Sequence, residues 1–186
     1  FVLYPEKETL DVVLFAKISD SFHRCRLNYI PVGDTFSDAL VIRGISTPTY
    51  YRLLIPRIIP QYDKIIYADA DMIFRMDLNE VYSKDLKDSY LAATLDIGMN
   101  FSEDGRKYIE TIPEVKIGSY LQAGFLLINS ALIRKDCLVD RFIEVALKGL
   151  RFQDQDALNI VCHDRVTFLQ PQYNMTDYSF VYGLKN

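Results

Sequence analysis

Two carboxylates, Asp69 and Asp71, stand one residue apart at the end of an apolar run of sequence. The preceding residues 64–68 are too few and too uniformly apolar for an amphipathic helix, and they predict a strand buried on both faces. Acids at the end of such a strand lie at the mouth of the crevice in which open α/β sheets bind ligands. Two hard oxygen donors there suit a divalent cation, which can neutralise a diphosphate. Taken alone, the pair could equally be solvated loop acids.

Two other kinds of site could use the same acids. Counted from Asp69, the acids at 71, 77 and 80 fall at positions 3, 9 and 12 of a calcium-binding loop, but Phe74 stands where that loop needs glycine. An aspartate-dependent phosphohydrolase would carry a small hydroxyl residue and glycine soon after the acids, whereas residues 72–74 continue apolar. Asp77 and Glu80 are interpreted as the capping box of a helical turn.

A second polar segment, residues 120–124, precedes another apolar run that predicts a buried strand. The small residues Ala123 and Gly124 would let a ligand approach the backbone closely, and the Gln122 amide offers both a donor and an acceptor. An ordinary turn at Gly124 is the alternative explanation.

A third polar segment, residues 153–159, places Asp154 and Asp156 where a helix is predicted to begin. Acids are favourable at a helix N-terminus, which explains both without any function. The flanking Gln153 and Gln155 are not required there, and carboxylates together with carboxamides are well suited to bind sugar hydroxyls. Arg52 lies among aromatic and aliphatic residues, where its charge needs a partner.

The composition excludes several classes of protein. The chain has 186 residues, 49% of them hydrophobic, and this predicts one domain over residues 1–186. A net charge of −4 argues against nucleic acid as a partner. Three separated cysteines predict buried reduced thiols and a cytoplasmic location. The first residue, Phe1, already lies in a predicted strand, so a trimmed or incomplete chain is expected.

Predicted strands alternate with predicted helices along the chain, which indicates an α/β fold with a mostly parallel central sheet flanked by helices. A helix starting at Ser46 is expected to end or kink near Pro56. Residues 100–117 are interpreted as an irregular lid or surface excursion. The remaining predicted strands span residues 1–4, 27–32, 64–68, 90–95, 125–129 and 167–169, and the remaining helices residues 8–22, 138–147 and 154–161.

The order of these motifs resembles glycosyltransferase family 8, which includes bacterial lipopolysaccharide galactosyl- and glucosyltransferases and is related to glycogenin. The resemblance covers residues 1–174. It depends on the sequence Tyr50-Tyr51-Arg52-Leu53, the Asp-x-Asp pair at 69–71, the Gln-Ala-Gly turn at 122–124 and the Asp-Gln-Asp sequence at 154–156.

The resemblance implies a GT-A fold that binds a UDP-sugar with Mn²⁺ or Mg²⁺ and retains the anomeric configuration. Asp69 and Asp71 would hold the metal. Asp154 and Gln122 would be catalytic, with the Gln122 carbonyl oxygen favouring positive charge on the sugar and Asp154 the better nucleophile if a covalent intermediate forms. The substrate-binding residues would be Arg52, Ala70 (along the ribose), Asp96, Ala123, Gly124 and Gln155.

The implied substrates are UDP-glucose or UDP-galactose as donor and a glycan or lipid-linked saccharide as acceptor. The family's first strand and its C-terminal segment, which carries a metal-binding His and a phosphate-binding Lys, are absent from residues 1–186. Through that C-terminal segment the protein is expected to associate peripherally with the inner face of a bacterial membrane. A domain that binds a nucleotide-sugar or glycan without turnover is the alternative function.

Overall fold

The strands of the computed structural model, which describes residues 1–9, 11–21, 26–42, 45–75 and 77–177, form two sheets. Strands β1 (Val2–Pro5) and β2 (Tyr29–Val32) pair in parallel. The larger sheet has the order β3-β5-β4-β6, and its strands are β3 (Lys64–Ala68), β4 (Leu91–Leu95), β5 (Leu121–Asn129) and β6 (Val166–Phe168).

Helices connect these strands throughout the described part of the chain. The α-helices are α1 (Val12–Ser21), α2 (Ile55–Ile58), α3 (Asn79–Tyr82), α4 (Ile97–Phe101), α5 (Glu103–Ile109), α6 (Ser130–Lys135), α7 (Leu138–Ala146) and α8 (Gln153–Cys162). Three 3₁₀ helices span Asp34–Phe36, Thr47–Leu54 and Pro171–Tyr173. Leu10 and Phe22, which belong to the predicted helix 8–22, lie outside the described residues.

The α/β class is confirmed, but the larger sheet is mixed rather than mostly parallel. Strand β5 runs antiparallel to both β3 and β4, and β4 runs parallel to β6. The reason is physical. A strand covered on both faces is apolar throughout whichever way its neighbours run, so its sequence carries no signal of strand direction.

Strand β5 is the centre of the fold because its two faces belong to two apolar layers. Leu126 and Ile128 pack with α7, α8 and the 3₁₀ helix Thr47–Leu54. Phe125 and Leu127 pack on the other face, against residues that include Val81, Leu86 and Tyr173. Burial on both sides fixes the register of β5 and therefore fixes where its first residues emerge from the sheet.

Two local predictions are wrong. Residues 100–117 are not an irregular excursion, because α4 and α5 occupy much of this range and Ile109 packs in a third apolar cluster with Tyr120. The helix predicted to start at Ser46 and to end or kink near Pro56 does end there, because the 3₁₀ helix stops at Leu54. Pro56 itself belongs to the next helix. It lies in the first turn of α2, directly after the 3₁₀ helix, where a missing N–H costs nothing.

The capping box expected at Asp77 and Glu80 does not form. Asp77 accepts a hydrogen bond from the Asn79 backbone N–H, whereas Glu80 accepts one from the Tyr173 hydroxyl. The contact with Tyr173 therefore uses the Glu80 side chain that the sequence predicted would cap the helix.

Two of the three cysteines can be placed. Cys162 is buried and Cys137 is exposed, and both are free thiols, so the expectation of buried thiols holds for only one of them. Cys25 lies outside the described residues. Among the residues that the structure describes, every helix is too short or too polar to cross a bilayer.

Candidate functional site

The pairing of β3 with β5 brings two of the predicted polar segments together. The last paired residues are Ala68 and Phe125, and one position further the Asp69 N–H donates to the Gly124 carbonyl at 2.9 Å. Asp69 at the end of β3 therefore lies directly beside residues 122–124 at the start of β5. Two antiparallel neighbours thus place acid and amide groups at one edge of the sheet.

The Arg52 side chain links these segments to α8. It is 7% exposed, and its guanidinium lies 2.9 Å from an oxygen of Asp69 and 2.9 Å from an oxygen of Asp154. Its Nη1 also donates to the Ala123 carbonyl at 2.5 Å. One buried cation therefore joins a carboxylate from each of two predicted segments, and this supplies the partner that its apolar surroundings demand.

Asp154 is buried, and its two oxygens have different environments. Oδ1 accepts a hydrogen bond from the Thr49 hydroxyl at 2.8 Å. Oδ2 is close to Arg52 Nε, but that N–H donates to the Thr49 carbonyl instead, so Oδ2 has a charge contact and no hydrogen bond within the described residues. Burial raises the pKa of Asp154, and the charge of Arg52 opposes that shift. Oδ2 therefore retains capacity to accept a further hydrogen bond.

The turn into α8 is strained at the residue before Asp154. Gln153 has a φ of 52°, in the left-handed region that non-glycine residues rarely adopt. Its side chain donates to the Leu40 carbonyl at 2.8 Å, and the same carbonyl accepts a hydrogen bond from the Tyr50 hydroxyl at 2.8 Å. These contacts hold the start of α8 against the 3₁₀ helix that carries Arg52.

Tyr67 orients the carboxylate of Asp69. Its hydroxyl donates to Asp69 Oδ1 at 2.7 Å, and the Arg52 guanidinium lies 4.4 Å from the centre of its ring. Burial raises the pKa of the Tyr67 hydroxyl well above its usual range, so the group remains a donor. With Oδ1 held in this way, Oδ2 of Asp69 is the atom that can face a ligand.

Gly124 is closely surrounded by the side chains of its neighbours. A Cβ at this position would lie 3.0 Å from Asp69 Oδ2 and 3.1 Å from Gln122 Oε1. The Gln122 oxygen accepts hydrogen bonds from the Gly124 N–H and from the side-chain amide of Asn174. The space beside the Gly124 backbone is used within the chain by these side chains, and the close approach of a ligand there stays a prediction.

Gln155 and Asp96 form the back of the site. Gln155 accepts a hydrogen bond from the Ala123 N–H and donates one to Asp96, both at 2.9 Å. The other oxygen of Asp96 caps α4 by accepting from the Met99 N–H at 2.9 Å. Asp96 is therefore committed to positioning Gln155 and α4.

Two cavities meet at Asp69, Gln122 and Gly124, which line both. The inner cavity has a volume of about 430 Å³ and is lined further by Ile42, Ile45, Thr49, Arg52, Ala123 and residues 151–155. The outer cavity, about 810 Å³, is lined further by residues 71–75, Gln172, Asn174, Met175 and Thr176. Together they form one cleft along the edge of the sheet.

The predicted metal ligands lie at the junction and in the outer cavity. Asp71 is exposed and lines the outer cavity, as does Asp69, while Ala70 between them is exposed at the surface. The described residues contain no group of three His, Cys, Asp or Glu side chains suited to a metal ion. Two carboxylates still fit a magnesium-like ion, because such ions are commonly held by one or two carboxylates together with substrate phosphates and water.

Several residues of the cleft were not singled out by the sequence. Thr49, Tyr67 and Asn174 each bond directly to a predicted site residue, and the cations Arg75 and Arg151 line the outer and inner cavities. Thr49, Tyr67, Arg75 and Arg151 all lie within four residues of a predicted site residue in the sequence. Asn174 carried no local signal, since its role depends on a contact with Gln122, 52 positions away.

Comparison with known proteins agrees with this geometry. The sequence profile of glycosyl transferase family 8 matches residues 4–183. The chain belongs to glycosyl transferase family 8. It is 31% identical to a putative glycosyltransferase of Haemophilus influenzae over 84% of this chain and 48% of that protein. It is 30% identical to a lipopolysaccharide 1,2-glucosyltransferase of Escherichia coli over 67% of this chain and 38% of that protein.

Solved structures of the family share the fold. The galactosyltransferase LgtC, in complex with donor and acceptor sugar analogues, superposes with a TM-score of 0.74 at 28% identity, covering 83% of this chain and 56% of LgtC. The family 8 assignment and the GT-A fold expected from the sequence are both confirmed. The chain spans about half or less of the length of these two curated relatives.

Proposed function

We propose that this chain forms the donor-binding part of a retaining hexosyltransferase, which transfers glucose or galactose from a UDP-sugar to a glycan or lipid-linked saccharide. The observation that carries the proposal is the continuous cleft in which Asp69 is shared between two cavities. A diphosphate in the outer cavity and a hexose in the inner cavity would place the bond between them at this residue.

In the proposed complex, Asp69 and Asp71 hold Mn²⁺ or Mg²⁺ against the diphosphate. When bound, the ion acts as a Lewis acid that offsets the negative charge developing on the departing UDP. The orientation of the Asp69 carboxylate is already fixed within the chain. Tyr67 and Arg52 hold one of its oxygens and leave the other toward the cleft. Ala70, which has no side chain beyond Cβ and is exposed, leaves room for the ribose.

The walls of the inner cavity suit a hexose. Arg52 and Gln155 supply N–H donors, and Asp154 supplies a largely buried carboxylate. Sugar hydroxyls both donate and accept, so such a mixed wall can fix their orientation. The charge of Asp154 would also favour the positive charge that develops on the sugar as its bond to phosphate breaks.

The proposed class of acceptor is based on relatives that act on lipopolysaccharide. They include the Escherichia coli 1,2-glucosyltransferase and a lipopolysaccharide 1,3-galactosyltransferase of Salmonella typhimurium, which is 26% identical over 74% of this chain and 42% of that protein. A saccharide carried on lipid is accordingly proposed as the acceptor here. Peripheral association with the inner face of a bacterial membrane belongs to the same proposal, because such an acceptor is held at a bilayer.

Calorimetric titration with UDP, with and without Mn²⁺, tests the metal site. The proposal expects Mn²⁺-dependent binding that Asp71→Asn abolishes. Asp88→Asn is the matched control, because Asp88 is also exposed but lies outside both cavities, and it should bind UDP as the wild type does. Equal affinity for UDP in the presence and absence of Mn²⁺ would contradict the proposed metal site.

Turnover separates an enzyme from a binding domain. The proposal expects hexose release from UDP-glucose or UDP-galactose in the presence of Mn²⁺. Binding without release would indicate a domain that captures the nucleotide-sugar without transferring it. Release of phosphate from simple phosphomonoesters would instead indicate a phosphohydrolase.

A further inference from the structure

The Gln122 amide is held in one orientation by contacts on its oxygen. We propose that Asn174 is a positioning residue that keeps the NH₂ group of Gln122 toward the cleft, so that Gln122 donates hydrogen bonds to substrate oxygens. This inference rests on the proposed function. It also reverses the role expected from the sequence, in which the carbonyl oxygen of Gln122 favoured positive charge on the sugar.

The backbone decides which end of the amide is which. The Gly124 N–H lies 2.8 Å from the Gln122 side chain and can only donate, so the atom that it contacts must be the oxygen. The side-chain amide of Asn174 donates to that same oxygen. An amide oxygen has two lone-pair positions, and both are therefore used within the protein.

The NH₂ group of Gln122 is left without a partner among the described residues. Gln122 lines both cavities, so this group lies at the junction where the proposed sugar–phosphate bond would be. There it can donate two hydrogen bonds to oxygens of the substrate. The bridging phosphate oxygen becomes negative as the bond breaks. Hydrogen bonds from these donors therefore stabilise this oxygen more than any other acceptor of the substrate.

Asn174 is itself fixed by the fold. It is 9% exposed and follows the 3₁₀ helix Pro171–Tyr173, and its N–H closes that turn on the Pro171 carbonyl at 3.0 Å. Tyr173 anchors the turn, because its ring stacks on Phe125 and its hydroxyl donates to Glu80. A rigid support of this kind is what a positioning residue needs.

The polarity of Gln122 is tested by Mn²⁺-dependent hydrolysis of UDP-glucose and UDP-galactose without acceptor, in the protein that contains this chain. Gln122→Glu keeps the shape and the oxygen but removes the donor. We expect kcat to fall about 100-fold, the typical effect of losing one such donor. A rate equal to or above that of the wild type would overturn the inference, because it would show that an oxygen toward the sugar is sufficient.

A double-mutant cycle tests the role of Asn174. Asn174→Leu should lower kcat about tenfold with little change in KM, since one hydrogen bond to Gln122 is lost. If Asn174 acts through Gln122, adding Asn174→Leu to Gln122→Leu should lower the rate no further. Fully additive losses would refute the positioning role. Gln170→Leu, which removes an exposed amide of the same segment outside both cavities, should leave the rate unchanged.

NMR spectroscopy of the wild-type protein tests this inference separately from the proposed function. It needs no variant, so it remains informative if a variant fails to fold. In ¹⁵N-labelled wild-type protein, the side-chain amide signals of Gln122 should shift when UDP-glucose or UDP-galactose is added with Mg²⁺, which is diamagnetic. Binding of the nucleotide-sugar with unmoved Gln122 signals would overturn the inference but leave the proposed function standing. Absence of both binding and hydrolysis in the wild type would overturn the proposed function and the inference that rests on it.

Discussion

Replacing Arg52 by Met should destabilise the protein far more than replacing any surface arginine. The Arg52 and Asp154 side chains are each 6% exposed and lie 2.9 Å apart, so Arg52→Met leaves a buried carboxylate without its cation. Breaking a buried pair on one side costs about 3–5 kcal/mol, because the remaining charge stays out of water. For a chain of this size, that loss corresponds to a fall in Tm of roughly 6–20 °C.

The matched control is Arg57→Met. Arg57 also pairs with an aspartate, Asp140, at 2.6 Å, but the two side chains are 47% and 79% exposed. Exposed pairs contribute about 0–1 kcal/mol. Urea unfolding of both variants and the wild type at pH 7.5 gives the comparison. A loss for Arg52→Met no greater than that for Arg57→Met would refute the argument from burial.

The dependence on pH supplies an independent check. Burial raises the pKa of Asp154 above its ordinary 3.8, and Arg52 lowers it, so Arg52→Met should raise this pKa further. A carboxyl with a raised folded pKa contributes stability that is complete below the unfolded pKa and is lost as the pH rises through the folded pKa. The destabilisation caused by Arg52→Met should therefore shrink as the pH falls from 7.5 to 5. Adding Asp154→Asn, which removes the buried charge, should restore part of the loss at pH 7.5.

Three further predictions concern other parts of the molecule. Gly124→Ala should weaken UDP-sugar binding at least tenfold by calorimetry, because the new Cβ would lie 3.0 Å from Asp69 Oδ2. Tyr120→Phe should cost about 1.5–3 kcal/mol in urea unfolding, because the buried carboxylate of Asp156 loses a charge-assisted hydrogen bond. Iodoacetamide at pH 8 should modify the exposed Cys137 and spare Cys162, whose pKa is raised by burial, as peptide mass spectrometry can show.

The parts of the fold that sequence predicted best are those in which local chemistry decides. The strand 64–68 was predicted with the bounds that the structure shows, because an apolar run bounded by turn residues leaves little choice. Helix α8 was predicted to start at 154 and begins at Gln153. By contrast, the antiparallel direction of β5 left no trace in its apolar sequence.

The candidate site shows the same division. Asp69, Asp71 and residues 122–124 could be named because each follows or begins a recognisable strand. The contact between Thr49 and Asp154 joins residues 105 positions apart, and no property of either segment alone predicts it. The contact that Asn174 makes with the Gln122 oxygen was likewise beyond the sequence, because Asn174 lies in a turn near the other end of the described chain.

The charges along the cleft give a physical reason for the proposed cation. Three carboxylates (Asp69, Asp71 and Asp154) face three guanidinium groups (Arg52, Arg75 and Arg151) across the two cavities, so these side chains nearly balance. Arg52 is already committed to Asp69 and Asp154. A UDP-sugar brings two further negative charges beside Asp69 and Asp71, and at contact distance these charges repel the two carboxylates. A divalent ion restores the balance, and this is why binding of the UDP-sugar should require it.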